Sequence, residues 1–149
     1  MNNSRFIDSG EMLSDFGEKV IAACPRCKKP VDYRIDLSGS GEVYPLTCLK
    51  CGYIRSGYKK DYKQNPLSFF TPTYDLYLVA DCCGQTLWAR NLNHLEFLEK
   101  YVSAKLRERT ANINQSTASR LPQWIKSAKN RDEILKCIQR IRVRYEQEK

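Results

Sequence analysis

The order of hydrophobic and polar residues predicts short strands in the first part of the chain. In residues 31–37, "VDYRIDL", apolar and polar residues alternate, which is the two-residue period of a half-exposed strand. "SGSG" at residues 38–41 supplies a turn. "EVYPLTC" then predicts a returning strand, in which Pro45 would require an edge position or a bulge.

The second part of the chain predicts a hairpin followed by a long helix. Residues 74–90, "YDLYLVADCCGQTLWAR", read as strand, turn and strand, with Gly84 suited to a positive φ at the turn. Residues 91–109, "NLNHLEFLEKYVSAKLRER", predict an amphipathic helix with Asn93 as its N-cap and Glu96 as the partner in a capping box. The apolar stripe of this helix would comprise Leu95, Leu98, Val102 and Leu106.

The last third predicts a polar loop and two further helices. The loop covers residues 110–119, a short helix starts near Pro122, and a final helix follows Asn130. One face of the final helix is apolar and carries Ile134, Cys137, Ile138, Ile141 and Tyr145.

The composition is that of an ordinary globular protein. Of 149 residues, 42% are hydrophobic and 28% are charged. No apolar run approaches the about 18 residues that a membrane span needs, and the polar N-terminus does not resemble a signal peptide. We therefore expect a cytoplasmic protein without a membrane partner. In a reducing compartment, seven cysteines favour metal ligands and buried thiols over disulfides.

Four of the cysteines have the spacing of a metal site. "CPRC" and "CLKCG" form the pattern C-x2-C-x20-C-x2-C, which provides Cys24, Cys27, Cys48 and Cys51. Four thiolates at about 2.3 Å would complete a tetrahedral zinc and leave no open position for catalysis. We therefore predict one structural Zn²⁺, held in turns where Gly52 allows an unusual backbone conformation. A redox C-x-x-C pair, an iron centre and unmetallated thiols are the alternatives.

These patterns together predict an α+β protein with two parts. Residues 1–60 would form an N-terminal extension and a zinc ribbon of small antiparallel strands. Residues 61–73 would connect it to a unit over residues 74–149, made of a β-hairpin and two to three helices, with a basic final helix.

The adjacent cysteines in "ADCCGQTLWAR" raise the possibility of a second metal site. Cys82, Cys83 and His94 could provide three ligands, completed by Cys137, in an open arrangement of the catalytic type. Against this, neighbouring residues on a strand point to opposite faces, and Cys137 already belongs to an apolar stripe. The chain has one histidine and no recognisable catalytic triad, carboxylate pair or phosphate loop. We therefore expect no enzyme activity and no small-molecule substrate.

Positive charge is concentrated at the C-terminal end. The formal net charge of +8 divides into +1 over residues 1–103 and +7 over residues 104–149. Such a region is typical of nucleic-acid-binding proteins, so DNA or RNA is a candidate partner. The residues predicted to contact phosphates are Arg120, Lys126, Lys129, Arg131, Lys136, Arg140 and Arg144. The alternatives are a solvated helical surface and an adaptor that docks on a larger enzyme or polymerase.

Several phrases also resemble a known family. "CPRC", "CLKCG", "CCGQTLW", "NHLEFLEKYVSAKLRER" and "SRLPQWIKSAKNRDEILKCI" resemble uncharacterised bacterial proteins that contain a zinc ribbon of the type found in transcription factor TFIIB. The resemblance spans about residues 20–141. It implies zinc binding by the four spaced cysteines and no established biochemical activity.

Overall fold

The computed structural model is a mixed α+β structure. It describes residues 5–17, 19–34, 45–55, 75–109 and 116–149. In chain order the strands and α-helices are β1 (Arg5–Asp8), β2 (Lys19–Ala23), β3 (Pro30–Arg34), β4 (Leu46–Thr47), β5 (Ile54–Arg55), β6 (Val79–Cys82), β7 (Gln85–Trp88), α1 (Leu92–Ser103), β8 (Leu106–Arg109), α2 (Gln123–Lys126) and α3 (Arg131–Glu148). The predicted turn at residues 38–41, the predicted connection over residues 61–73 and residues 110–115 of the predicted loop lie outside the described residues.

The strands that flank the spaced cysteines form two small antiparallel pairs. β2 pairs with β3, and β4 pairs with β5. The predicted alternation holds in β3, where Val31 and Tyr33 are buried while Asp32 and Arg34 are exposed. The returning strand predicted for residues 42–48 is described from Pro45 onward, where β4 pairs with β5.

Strand β2 also bonds along its second edge to the helical part of the chain. The Ile21 N–H donates to the Arg90 carbonyl at 2.9 Å, and the Ala23 N–H donates to the Asp75 carbonyl at 2.8 Å. The Ile21 carbonyl accepts from the Tyr77 N–H at 3.0 Å. Because both edges are occupied, β2 is an inner strand, and its three central residues are all buried.

The hairpin β6–β7 turns at Cys83 and Gly84, both of which have positive φ, 54° and 73°. Two positive φ angles define the primed two-residue turn that suits the twist of a hairpin. The prediction that Gly84 occupies a turn with positive φ is confirmed. Cys82 is buried at the end of β6, whereas Cys83 is exposed on the turn.

Helix α1 begins two residues earlier than the capping box predicted. Its N-cap is Asn91, whose side chain accepts from the His94 N–H at 2.9 Å. The Asn91 amide also donates to the carbonyls of Phe16 and Lys19, each at 2.8 Å. Asn93 was the wrong choice because it already lies inside the helix, as its second residue.

The same helix ends at Ser103, six residues before the predicted end. Ala104 is extended, with a ψ of 129°, and Leu106–Arg109 form β8, which pairs in parallel with β1. The helical prediction for residues 104–109 was therefore wrong. Arginine side chains satisfy carbonyls in the last turn: Arg107 donates to the Tyr101 carbonyl at 3.1 Å and Arg131 to the Val102 carbonyl at 3.1 Å.

The two predicted C-terminal helices are both present. α2 starts directly after Pro122, and α3 starts directly after Asn130. The predicted apolar face of α3 is buried, except that Tyr145 is partly exposed, and it packs against α1 and the hairpin in one core. Among the described helices, none combines the length and the apolar character needed to cross a membrane.

The two asparagines at the start of α1 provide a matched test of the cap. We expect Asn91→Ala to lower the free energy of unfolding by about 2–3 kcal/mol, because the cap is lost and two carbonyls lose a donor. Asn93→Ala should change it by less than about 0.5 kcal/mol, since that side chain is exposed. Urea unfolding of both variants in excess zinc measures the difference. Equal effects would contradict the assignment of Asn91.

Candidate metal centre

The four spaced cysteines form one compact group. Their sulfurs all lie within 4.8 Å of one another, with Cys24 and Cys48 buried and Cys27 and Cys51 partly buried. The Cys24–Cys51 sulfur distance is 3.6 Å and the Cys27–Cys48 distance is 3.7 Å. Sulfurs that surround a zinc ion at about 2.3 Å lie about 3.8 Å apart in a regular tetrahedron. The group can therefore hold one metal ion.

Both cysteine pairs sit in loops of the same construction. In the first loop the Lys28 N–H donates to the Cys24 carbonyl at 2.9 Å, and in the second the Gly52 N–H donates to the Cys48 carbonyl at 2.9 Å. These two donors occupy equivalent positions and both have positive φ, 64° for Lys28 and 77° for Gly52. The prediction for Gly52 is thus confirmed, and Lys28 adopts the equivalent conformation without being a glycine.

The ionisation of the thiols shows why this group suits a cation. Burial opposes ionisation of Cys24, but backbone hydrogen bonds from Cys27 and Arg26 and thiol hydrogen bonds lower the pKa of Cys24 from 9.0 to about 6. For Cys51, the backbone hydrogen bond from Tyr53 favours the thiolate, yet burial and the other three sulfurs raise its pKa to about 11. Four thiolates at this spacing therefore need a bound cation to offset their mutual repulsion.

Comparison with known proteins gives no relative for this chain. No protein-family model matches it, and no curated protein and no solved structure matches it significantly. The resemblance to zinc-ribbon proteins therefore stays an expectation from the sequence.

The described residues do not bring the second candidate metal site together. Within the described part of the chain, which includes every cysteine and the histidine, the four-cysteine group is the only cluster of three or more potential ligands. His94 is instead a structural residue: its Nδ1 accepts from the Arg90 N–H at 3.0 Å, and its ring stacks on Phe16 at 4.9 Å. An Nδ1 that accepts a hydrogen bond belongs to a neutral imidazole with its proton on Nε2.

Three of the seven predicted phosphate-binding residues donate to backbone carbonyls. Lys126 bonds to Ser119 at 2.9 Å, Arg131 to Val102 at 3.1 Å, and Arg144 to both Tyr77 and Val79 at 2.8 Å. The other four side chains are exposed: Arg120, Lys129, Lys136 and Arg140. Of these, Arg140 also donates to the Cys137 sulfur at 3.0 Å.

Sequence reasoning missed two exposed apolar residues beside the second cysteine loop. Leu49 lies between Cys48 and Cys51 with 94% of its surface exposed, and Ile54 on β5 is 68% exposed. The position of Leu49 inside a C-x2-C loop was the available signal, because side chains between the ligands of such a short loop point away from the metal. Exposed apolar residues in this setting are candidates for a contact surface.

Metal content tests the group of four. We expect one metal ion per chain, chiefly zinc, by elemental analysis of the purified protein. Cys24→Ser should lower the metal content and destabilise the fold, because three thiolates and a serine hydroxyl hold zinc less well. Cys83→Ser is the matched control: it changes an exposed cysteine outside the group and should leave one ion per chain. Two ions per chain, or none, would contradict the assignment.

The buried histidine predicts a loss of stability in acid. Burial and the charge of Arg90 lower the pKa of His94 from 6.5 to about 4. The unfolded chain therefore binds this proton at higher pH than the folded chain does. The resulting stabilisation is complete above about pH 6.5 and is lost as the pH falls toward about 4, by up to about 3 kcal/mol.

The variant His94→Gln isolates this contribution from acid release of the metal, which both proteins share. Denaturant unfolding at several pH values between these limits should give a shallower pH dependence for His94→Gln than for the parent. Identical slopes would show that His94 is not the titrating group.

Proposed function

We propose that the protein is a non-enzymatic, cytoplasmic protein that binds zinc through a four-cysteine zinc ribbon and binds nucleic acid through backbone contacts of its basic C-terminal region. The observation that carries the zinc assignment is the sulfur geometry, 3.6 and 3.7 Å within a group that spans no more than 4.8 Å. Four cysteines would fill the coordination shell of the ion. Its role is then to stabilise two small strand pairs, which bury little apolar surface of their own.

The exposed basic side chains support the nucleic-acid assignment. Lys136 and Arg140 lie one turn apart on α3, and a rise of four residues is about 6 Å, close to the spacing of phosphates along one strand. Arg120 and Lys129 precede them along the chain and are also exposed. Backbone contacts of this kind provide affinity without reading the base sequence.

Contacts within the fold remove three residues from the phosphate-binding surface predicted from the sequence. Arg131 and Arg144 donate to carbonyls of α1 and of the hairpin region, so their positive charges support the fold. Lys126 likewise bonds to the Ser119 carbonyl. We therefore assign phosphate binding to Arg120, Lys129, Lys136 and Arg140.

Salt dependence tests this assignment. Fluorescence anisotropy with labelled DNA and RNA should show an affinity that falls steeply between about 50 and 200 mM salt. Four phosphate contacts on duplex DNA correspond to a slope of about −3.6 in a plot of log affinity against log salt concentration. Lys136→Glu should weaken binding and reduce the magnitude of the slope by about 1.

Lys100→Glu is the matched control. It makes the same change of charge on α1, where Lys100 pairs with Glu96 at 3.3 Å, outside the proposed surface. Equal loss in the two variants would indicate a general effect of net charge. No binding of either polynucleotide at low salt would disprove the nucleic-acid function and leave the zinc assignment intact.

A second candidate function is docking on a protein. The exposed Leu49 and Ile54 next to the second cysteine loop favour it, because exposed apolar side chains are typical of contact surfaces. Co-purification from lysate distinguishes the two functions. Partners that persist after nuclease treatment, and that are lost on Leu49→Asp, would favour the adaptor.

A further inference from the structure

The three cysteines outside the metal group lie together where the hairpin meets the last helix. Cys82 ends β6, Cys83 follows on the turn, and Cys137 lies in the second turn of α3. Cys82 and Cys137 are fully or almost fully buried, whereas Cys83 is exposed. Neither the metal centre nor the proposed nucleic-acid surface uses these thiols.

Reciprocal contacts place Cys82 and Cys137 side by side. The Cys82 sulfur lies 3.9 Å from the Glu133 carbonyl oxygen, one helical turn before Cys137. The Cys137 sulfur lies 3.7 Å from the carbonyl oxygen of Asp81, the residue before Cys82. Burial and a hydrogen bond with Cys137 raise the pKa of the Cys82 thiol, so Cys82 keeps its proton at neutral pH.

Arg140 gives the two sulfurs different chemical surroundings. Its guanidinium donates to the Cys137 sulfur at 3.0 Å, and this contact raises the pKa of Arg140. A cation that donates to a sulfur stabilises the thiolate, which is the reactive form. The side chain of Arg140 is exposed, whereas Cys137 itself is fully buried.

We propose that Cys82 and Cys137 are a redox-modification site, in which a hydroperoxide oxidises the pair to a disulfide that links the hairpin to α3. Cys137 is the attacking residue, Cys82 is the resolving residue, and Arg140 is a positioning residue that donates to the Cys137 sulfur. This assignment does not depend on the nucleic-acid function.

The chemistry balances in two steps. The Cys137 sulfur attacks one oxygen of hydrogen peroxide, the O–O bond breaks, and hydroxide leaves, so that Cys137 becomes a sulfenic acid. The Cys82 sulfur then attacks the Cys137 sulfur, the S–O bond breaks, and the Cys82 proton leaves with the hydroxide as water. Two electrons pass from the two sulfurs to the peroxide, and a thiol reductant reverses the bond.

Cys83 is the less suitable partner for Cys82 despite a sulfur separation of 4.0 Å. A disulfide between adjacent residues closes a small ring that includes their own peptide bond. Cys83 has a φ of 54° in a two-residue turn, and Cys82 pairs with Gln85 directly across that turn. Closing the ring would disrupt this turn, whereas a bond to Cys137 joins two elements already packed together.

Peptide mapping of the zinc-loaded full-length protein tests whether Cys82 and Cys137 form the disulfide. One equivalent of hydrogen peroxide is added, free thiols are alkylated, and the tryptic digest is analysed by mass spectrometry. We expect residues 64–90 to be linked to residues 137–140, with zinc content unchanged and the link removed by reduction. The link should be lost in Cys82→Ser and Cys137→Ser and retained in Cys83→Ser.

Fragmentation of the linked peptides from the unmutated protein identifies the bonded sulfurs even where a serine variant folds poorly. A bond through Cys83, sulfinic acid without a disulfide, or oxidation only of the zinc ligands would overturn the proposal.

The role of Arg140 has a separate kinetic test. Arg140→Gln should slow formation of the disulfide severalfold at neutral pH, because the Cys137 sulfur loses its cationic donor. Lys100→Gln removes the same charge from an exposed position on α1, outside the proposed nucleic-acid surface, and should leave the rate unchanged. Equal rates in all three proteins would overturn the assignment of Arg140 as a positioning residue.

Discussion

The hydrogen bonding of β2 along both of its edges is the constraint on which the rest of the structure depends. One edge pairs with β3, and the other bonds to Asp75, Tyr77 and Arg90. The two faces of the strand also differ, since Val20 and Ala22 pack with the cysteine group while Ile21 belongs to the helical core. A single strand of five residues therefore joins both hydrophobic clusters, and Cys24 follows directly at its end.

This arrangement couples the metal centre to the helical core. Among the described residues, the smaller cluster contains seven buried ones, two of which are the cysteines Cys24 and Cys48. Without a cation, those thiols either stay protonated or, as thiolates, repel one another. The apolar surface of the remaining residues in this cluster is small for a stable fold. Because β2 bonds to Arg90, which precedes α1 closely, disorder at the cysteine loops would also remove hydrogen bonds at the entry to α1.

The sequence was sufficient wherever the structure depends on local patterns. The alternation in β3, the turn at Gly84 and the stripe of α3 each arise from residues close together in the chain, as does the two-residue spacing within each cysteine pair. Prediction from the sequence failed where contacts between residues far apart in the chain determine the local structure. The parallel pairing of β1 with β8 joins segments about a hundred residues apart. From the sequence pattern alone, Leu106 fits the apolar stripe of the preceding helix, so the pattern does not indicate a strand there.

The basic residues show a second reason why a binding surface cannot be predicted from the sequence alone. The sequence shows which residues are charged. Whether a charged side chain binds a partner or a group of the same chain depends on which acceptors lie near it in the fold. Arg144 donates to two carbonyls near the hairpin and its guanidinium also lies 5.0 Å from the centre of the Tyr77 ring, so its charge stabilises packed structure. Lys136, two turns earlier on the same helix face, is exposed. A regular spacing of cations along a helix therefore defines a binding surface only after the side chains that satisfy buried carbonyls are removed from it.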